Sequence, residues 1–213
     1  MGKTLITDFD GTMTERDFFS VLAERYIPSG APDFFEQWRA GRMSHFEAMG
    51  AYFAYAPDDE RKMDEVLAEC GLDAGAKRAY ERLAAAGWEV LVVSAGSAWY
   101  IERLLGRAGV PAKVYSNRGW LEKGRGLVIE KLPRSSPFYS EDVGVDKCAV
   151  VRDALARSEA VAFAGDGPPD LAPALLVAEG RRFARGYLAG ELDRCGEGYQ
   201  GYSRWSAIAE ALL

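Results

Sequence analysis

The sequence predicts an α/β protein in which a doubly wound parallel sheet carries an inserted, all-helical unit. Three observations predict it. A short β-rich run, Thr4 to Phe9, leads into Asp10-Gly11-Thr12, residue types that favour turns. From Asp17 to Gly75 apolar residues recur at three- and four-residue intervals, the spacing of helices. After Gly75, stretches with strand and helix character alternate, the pattern that builds a parallel sheet with helices on both faces. The helical block is then an insertion after the first strand. This gives a core of residues 1–16 and 76–213 and a helical unit of residues 17–75.

Thr4 to Phe9 reads as a buried first strand. In the helical block Phe18, Phe19, Leu22 and Tyr26 share a face, and breaks at Pro28-Ser29-Gly30, at Gly41 and around Pro57 divide the block into about four helices. The ten aromatic residues between Asp17 and Tyr55 supply most of the core so small a unit needs, with one or two left to meet an apolar ligand. Lys77 to Ala86 carries Tyr80, Leu83 and Ala84 on one face, with Gly87 as its C-terminal cap. Trp88 to Val93 is nearly all apolar, as in a strand covered on both faces.

Ser97 is placed to cap a helix bearing Ile101, Leu104 and Leu105 that ends near Gly109, and a short strand follows at Lys113-Val114-Tyr115. Trp120 to Glu130, with Gly124 and Gly126, reads as a hairpin, and Pro133 to Val145 as loop. Lys147 to Arg157 is a helix and Ala160 to Ala164 a strand running into Gly165-Asp166-Gly167. A helix from about Asp170 to Val177, a strand at Arg182-Phe183-Ala184 and a last helix from Arg204 to Leu213 complete the chain.

With 26 basic against 32 acidic residues, the net charge of -6 gives no general attraction to nucleic acid or to an anionic membrane. An anionic substrate therefore needs a locally positive site. The N-terminus lacks the apolar stretch and cleavage site of a signal peptide, and no run is long enough to span a bilayer. Cys70, Cys148 and Cys195 are odd in number and widely spaced, which suggests neither a disulfide framework nor a metal site and points to the reducing cytoplasm. The expected partner is a small molecule, with no nucleic acid and no membrane; oligomeric state is open.

Ligands of open parallel sheets bind beyond the carboxyl ends of the strands. Asp8 and Asp10 follow the first strand two residues apart, so two carboxylates share one small region and require a cation or a shared proton. Val93-Ser94-Ala95-Gly96 brings a hydroxyl and flexible backbone to a helix N-terminus, an arrangement that binds phosphate oxygens. Lys147 lies at a helix start, where the dipole does not favour a cation. Asp166 and Asp170 lie in a glycine-proline turn after a strand, and oxygen-seeking Mg²⁺ is held by such carboxylates. Taken singly, each segment also fits an ordinary role: solvated acids at a turn, a helix-capping serine, a solvated lysine, a capping aspartate. Their succession beside the strand ends of one sheet fits a phosphoryl-transfer site.

Asp8-Phe9-Asp10-Gly11-Thr12, Ser94, Lys147 and Gly165-Asp166-Gly167-Pro168-Pro169-Asp170 resemble, in order, the four motifs of the haloacid dehalogenase superfamily. The resemblance spans essentially the whole chain. It implies a Rossmann-like doubly wound sheet, and the helical insertion resembles the C1-type cap of the phosphoserine phosphatase-like group, as does Ser116-Asn117-Arg118. Phe183-Ala184-Arg185-Gly186-Tyr187-Leu188 and Tyr202-Ser203-Arg204-Trp205 are similar to the methionine-salvage branch of that group. The loop from Ser135 to Asp146 departs from that branch, whose loop is cysteine-rich.

What the resemblance implies is a Mg²⁺-dependent phosphatase. Asp8 would be the nucleophile and Asp10 the acid/base. Gly11, Thr12, Ser94, Ala95, Gly96 and Lys147 would hold the phosphate. Asp8, Asp10 through its backbone carbonyl and Asp166 would hold the metal, with Asp170 orienting that shell. Asp17 is the cap residue expected at the pocket. A phosphoserine phosphatase would read its substrate carboxylate with a cap arginine; that register falls on Ala51, with Arg39 and Arg42 earlier. Phosphoserine and transfer to another acceptor stay open as alternatives. His45 reads as a surface or packing residue of the cap.

Overall fold

The computed structural model describes residues 2–213; Met1, the first residue of the expected core segment, lies outside them. Strand β1 (Gly2–Thr7) is followed by helices α1 (Phe18–Tyr26), α2 (Phe34–Arg39), α3 (His45–Phe53) and α4 (Glu60–Cys70). The chain continues through α5 (Ala76–Ala85), β2 (Trp88–Ser97), α6 (Ala98–Ala108), β3 (Lys113–Glu122), β4 (Gly126–Glu130), β5 (Tyr139–Ser140), β6 (Gly144–Val145) and α7 (Lys147–Arg157). Then come β7 (Ser158–Gly165), a 3₁₀ turn at Pro168–Asp170, α8 (Leu171–Leu175), a second 3₁₀ turn at Glu179–Arg181, β8 (Arg182–Ala184), α9 (Gly186–Cys195), β9 (Gln200–Gly201) and α10 (Ser206–Leu212).

Among the described residues the main sheet has seven strands in the order β4-β3-β2-β1-β7-β8-β9. Neighbours run parallel except the β3/β4 hairpin. From β1 at the centre, the chain winds to β2 and β3 on one side and later to β7, β8 and β9 on the other. The winding reverses beside β1, and the crevice for a ligand opens at such a switch point.

Alternate residues of the central strands face opposite layers, so both faces must be apolar. Leu5, Val90, Val92, Ala162 and Ala164 pack with Leu83 of α5, Ile101 of α6 and Ile208 of α10, and this core runs on into Phe18, Phe53 and Met63 of the helical unit. Ile6, Leu91, Val93, Val161 and Phe163 pack with Val150 and Val151 of α7, Ala174 of α8, and Leu188 and Leu192 of α9.

Each helix of the inserted unit begins at a side chain that accepts a free backbone N–H: Asp17, Asp33, Ser44 and Asp59. The segments that enter and leave the unit lie side by side. Thr14 bridges to Leu72 in antiparallel fashion, Glu15 N–H donates to Gly71 C=O at 2.8 Å and Arg16 N–H to Cys70 C=O at 3.0 Å.

Several elements differ from expectation. β2 and β3 are longer than the apolar runs, because their ends pair beyond them, as in Ser94 with Ser116 and Ser97 with Asn117. The expected loop from Pro133 to Val145 contains the β5/β6 hairpin. In place of the helix expected over 170–177 there is a 3₁₀ turn at Pro168–Asp170 followed by the short α8, which stops at Leu175. Helix α9 buries only Leu188 and Leu192, too sparse a stripe to mark it in the sequence. Among the described residues no helix is long and apolar enough to cross a membrane.

Candidate active site

The end of β1 is fastened from several directions. Asp8 N–H continues the ladder to Ala164 C=O at 2.8 Å, and Phe9 C=O accepts from Met13 N–H at 2.8 Å and from Thr12 and Thr14 N–H at 3.2 Å. Trp205, buried in α10's leading turn, donates its indole N–H to Thr7 Oγ1 at 3.0 Å; Thr7 in turn donates to Asp8 C=O at 2.8 Å. Arg185 donates from Nε to Gly11 C=O and from Nη2 to Thr14 C=O, each at 2.6 Å, so the C-terminal segment grips the turn after β1.

Gly11 sits at φ +66°, and a Cβ there would lie 2.3 Å from Asp166 Oδ2. Only glycine lets the Asp166 carboxylate lie against this turn, where Thr12 Oγ1 donates to Asp166 Oδ1 at 2.7 Å. Across the crevice, Ser94 on β2 accepts from Gly96 N–H at 3.0 Å and donates to Asp10 Oδ2 at 3.4 Å. Buried Asn117 braces this turn, donating to Ala95 C=O at 2.8 Å and to Val143 C=O at 3.1 Å.

Lys147 is the first residue of α7, yet it is buried rather than solvated. Its Nζ lies 2.7 Å from Asp8 Oδ1 and 2.6 Å from Asp170 Oδ1. The helix-dipole objection to a cation here is met by two adjacent carboxylates. Asp170 Oδ2 accepts N–H groups of Asp166 at 3.1 Å and Gly167 at 3.0 Å, so both its oxygens are engaged.

The electrostatics follow from crowding acids in a buried place. Burial, then the Asp170 charge, push the Asp8 carboxyl well above the usual carboxylate range, against the pull of Lys147. Burial and then Asp17 push Asp10 up to about 7. Burial also raises Asp166 to about 6, against the hydrogen bond from Thr12. For Lys147 burial is the largest influence and acts downward, but Asp170 and Asp8 together outweigh it and hold the ammonium above the ordinary lysine range.

Oxygens of Asp8, Asp166 and Asp170 all lie within 4.8 Å of one another. Burial, with repulsion from neighbouring carboxylates, raises Asp8 and Asp166, and hard carboxylate oxygens crowded in this way fit a small divalent cation. Because Asp170 is filled by Lys147 and two N–H groups, it suits an orienting role better than ligation. The Asp10 carboxyl turns away from this cluster and accepts from Tyr100 Oη at 2.5 Å and Phe18 N–H at 3.3 Å.

A cavity of about 420 Å³ joins these groups to the helical unit. Asp8, Asp10, Ser94, Ala95, Gly96, Lys147, Asp166 and Asp170 line its sheet end; Asp17, Phe19, Phe35, Trp38, Arg39, His45 and Met49 line it from the helices. Gly11 and Thr12 stand behind Asp166 rather than in the lining. Ala51, the register position for a carboxylate-reading arginine, lies outside the lining, whereas Arg39 belongs to it. Of the two readings for His45, packing holds: it is buried against Phe35 and Trp38, and it also faces the cavity. Sequence reasoning passes over Tyr100, whose position in an amphipathic helix looks like plain core, and over Asn117 and Arg185 as braces.

A family model described as haloacid dehalogenase-like hydrolase matches residues 5–174. The 2-hydroxy-3-keto-5-methylthiopentenyl-1-phosphate phosphatase of Brevibacillus brevis is 26% identical over 200 residues, covering 91% of this chain and 88% of that protein. A substrate-bound phosphoserine phosphatase complex has the same fold, with a TM-score of 0.69 at 15% identity over 99% of this chain and 98% of the other. A phosphoserine phosphohydrolase-like protein from Francisella tularensis superposes with a TM-score of 0.65 at 15% identity, covering 99% of this chain and 100% of that one. The motif order read from the residues, the doubly wound sheet and the family match agree: the chain is an enzyme that belongs to the haloacid dehalogenase-like hydrolases.

Proposed function

We propose that this hydrolase is a Mg²⁺-dependent phosphatase that cleaves a small phosphate monoester through an aspartyl-phosphate on Asp8. The observation that carries this reading is the pair of carboxyls at one end of one cavity with different partners. Asp8 meets the Lys147 ammonium, while Asp10 meets a phenol and a backbone N–H and is pushed up to about 7. Two acids held in such different surroundings suit two roles, nucleophile and proton carrier.

Mg²⁺, when held by Asp8, Asp166 and the backbone carbonyl of Asp10, supplies the charge that keeps Asp8 ionised and polarises the phosphoryl group. Asp8 attacks phosphorus in line, splitting one difficult displacement into two easier ones. Asp10 gives its proton to the departing oxygen and then takes one from the attacking water, a role that contributes about 10²–10⁴-fold. Lys147, Ser94 and backbone N–H groups near Gly11 and Gly96 hold the phosphoryl oxygens. Asp170 fixes Lys147, Thr12 fixes Asp166, and Asp17 borders the leaving-group side.

Phe19, Phe35, Trp38 and Met49 wall the cavity opposite the acids, which favours an apolar tail. The methionine-salvage enol phosphate, the substrate in the name of the Brevibacillus brevis relative, has such a tail. Arg39 on the same wall favours a second reading, phosphoserine, whose carboxylate it would pair with. Three free cysteines support placement in the reducing cytoplasm. The test is hydrolysis of both esters with Mg²⁺ and with EDTA, in the native protein and in Asp8→Asn. We expect turnover only in the native protein with Mg²⁺; undiminished activity of Asp8→Asn would overturn the mechanism.

A further inference from the structure

We propose that Tyr100 is a positioning residue for Asp10, holding its carboxyl at the angle from which it can protonate the leaving oxygen. A carboxyl group has a broad terminal torsion, so which oxygen faces a substrate is undetermined unless its neighbours decide it. Here they do. Tyr100 Oη donates to Asp10 Oδ2 at 2.5 Å, with Ser94 Oγ at 3.4 Å on the same oxygen, while Phe18 N–H donates to Oδ1 at 3.3 Å.

The phenol is itself immobile. Tyr100 is 1% exposed, and its ring stacks on Phe18 with centroids 4.2 Å apart and planes 18° apart. Phe53 meets it edge-on at 6.4 Å and Phe9 lies tilted at 6.3 Å. Phe18 therefore serves the acid twice, with a ring under Tyr100 and an N–H on Asp10. The first residue of α1 and the core helix α6 clamp the carboxyl between them.

Gly96 gives independent support. A Cβ at this position would lie 1.8 Å from Tyr100 Oη and 3.0 Å from Asp10 Oδ2. Its φ is not in the left-handed region, so backbone conformation does not require glycine. What requires it is the passage of the tyrosine hydroxyl to the carboxylate.

The inference rests on the phosphatase reading. As the P–O bond breaks, its electron pair goes to the leaving oxygen and Asp10 gives that oxygen its proton; Tyr100 keeps its own proton throughout. Tyr100 should then matter most where the leaving group most needs a proton. Tyr100→Phe retains the stacked ring and removes only the hydroxyl, and kcat/KM reports the step that expels the alcohol, before hydrolysis of the phosphoenzyme. With Mg²⁺ present, we expect kcat/KM for an alkyl phosphate such as phosphoserine or β-glycerophosphate to fall about tenfold or more, a part of what a general acid supplies. For p-nitrophenyl phosphate, whose phenolate leaves without help, it should stay within about twofold. Competitive inhibition by inorganic phosphate should be unchanged.

An equal loss on both esters, no loss on either, or weakened phosphate inhibition would overturn the positioning role. If the native protein hydrolyses neither class of ester, nor the methionine-salvage enol phosphate, the phosphatase reading itself fails, and the Tyr100 assignment with it. Normal native activity with a uniform response in Tyr100→Phe overturns the Tyr100 assignment alone.

Discussion

Lys147 Nζ stands between Asp8 Oδ1 and Asp170 Oδ1, at 2.7 and 2.6 Å, so one buried ammonium joins the end of β1 to the turn after β7. Removing one partner from such a buried group leaves charge uncompensated, at a cost of about 3–5 kcal/mol. Lys147→Ala is therefore expected to lower the melting temperature strongly in EDTA and to recover part of the loss with Mg²⁺, which also neutralises carboxylates. Its kcat should fall about a hundredfold or more through the lost contact to developing charge. Calorimetry with and without Mg²⁺ and steady-state kinetics check both parts; unchanged kinetics would remove Lys147 from the site.

The raised acids set the direction of pH dependence. Asp10 at about 7 and Asp166 at about 6 hold protons that the unfolded chain, with ordinary aspartates near ~3.9, has already released. Between about pH 4 and 7 the native state binds more protons, so lowering the pH through this window stabilises it. In EDTA the melting temperature should be higher at pH 5.5 than at pH 8. Mg²⁺ at pH 8 should narrow the gap. A lower melting temperature at pH 5.5 in EDTA would contradict the crowding of these carboxylates.

Trp205 supports Asp8 from the far end of the sequence. Its indole closes the chain Trp205 to Thr7 to Asp8 C=O. Trp205→Ala is expected to destabilise by about 3–5 kcal/mol through the cavity it leaves. Trp205→Phe keeps most of the packing but leaves Thr7 without its donor, and should cost about 1–3 kcal/mol. Denaturant titration separates the two.

The cavity wall offers a choice between the two substrate readings. Arg39→Ala should raise KM for phosphoserine about tenfold while sparing an ester with an apolar tail, since only a carboxylate pairs with the guanidinium. Trp38→Ala should do the reverse, through lost apolar contact. Competition between the two esters in each variant is the measurement.

The residues set around the cavity by strand ends were legible because chemistry in a doubly wound sheet gathers at fixed places in the order of elements. Asp8 and Asp166 directly follow strands, Ser94 lies in the last part of β2 and Lys147 opens a helix, and the fold brings them to one cavity. Tyr100 was not legible, because its partner lies 90 residues away and its spacing is that of a core residue. The burial of Lys147 was hidden for a similar reason: local sequence shows the helix start but not Asp8 and Asp170, 139 and 23 residues distant. The β5/β6 hairpin escaped because two-residue strands have no periodicity to read. For His45 the sequence left surface and packing open, and Phe35 and Trp38, which bury it, decide for packing.

The paired segments at Thr14–Arg16 and Cys70–Leu72 bear on how the chain could assemble and diversify. Because the inserted helices begin and end at adjacent points, the core strand order does not depend on how many residues lie between them. Closing a loop there costs an entropy that grows only with the logarithm of its length. A different module could be spliced at the same two points without re-registering β1 against β2. The helical wall of the cavity and the strand-end residues opposite it can thus change at separate rates, one replaceable as a cassette and the other fixed by the sheet.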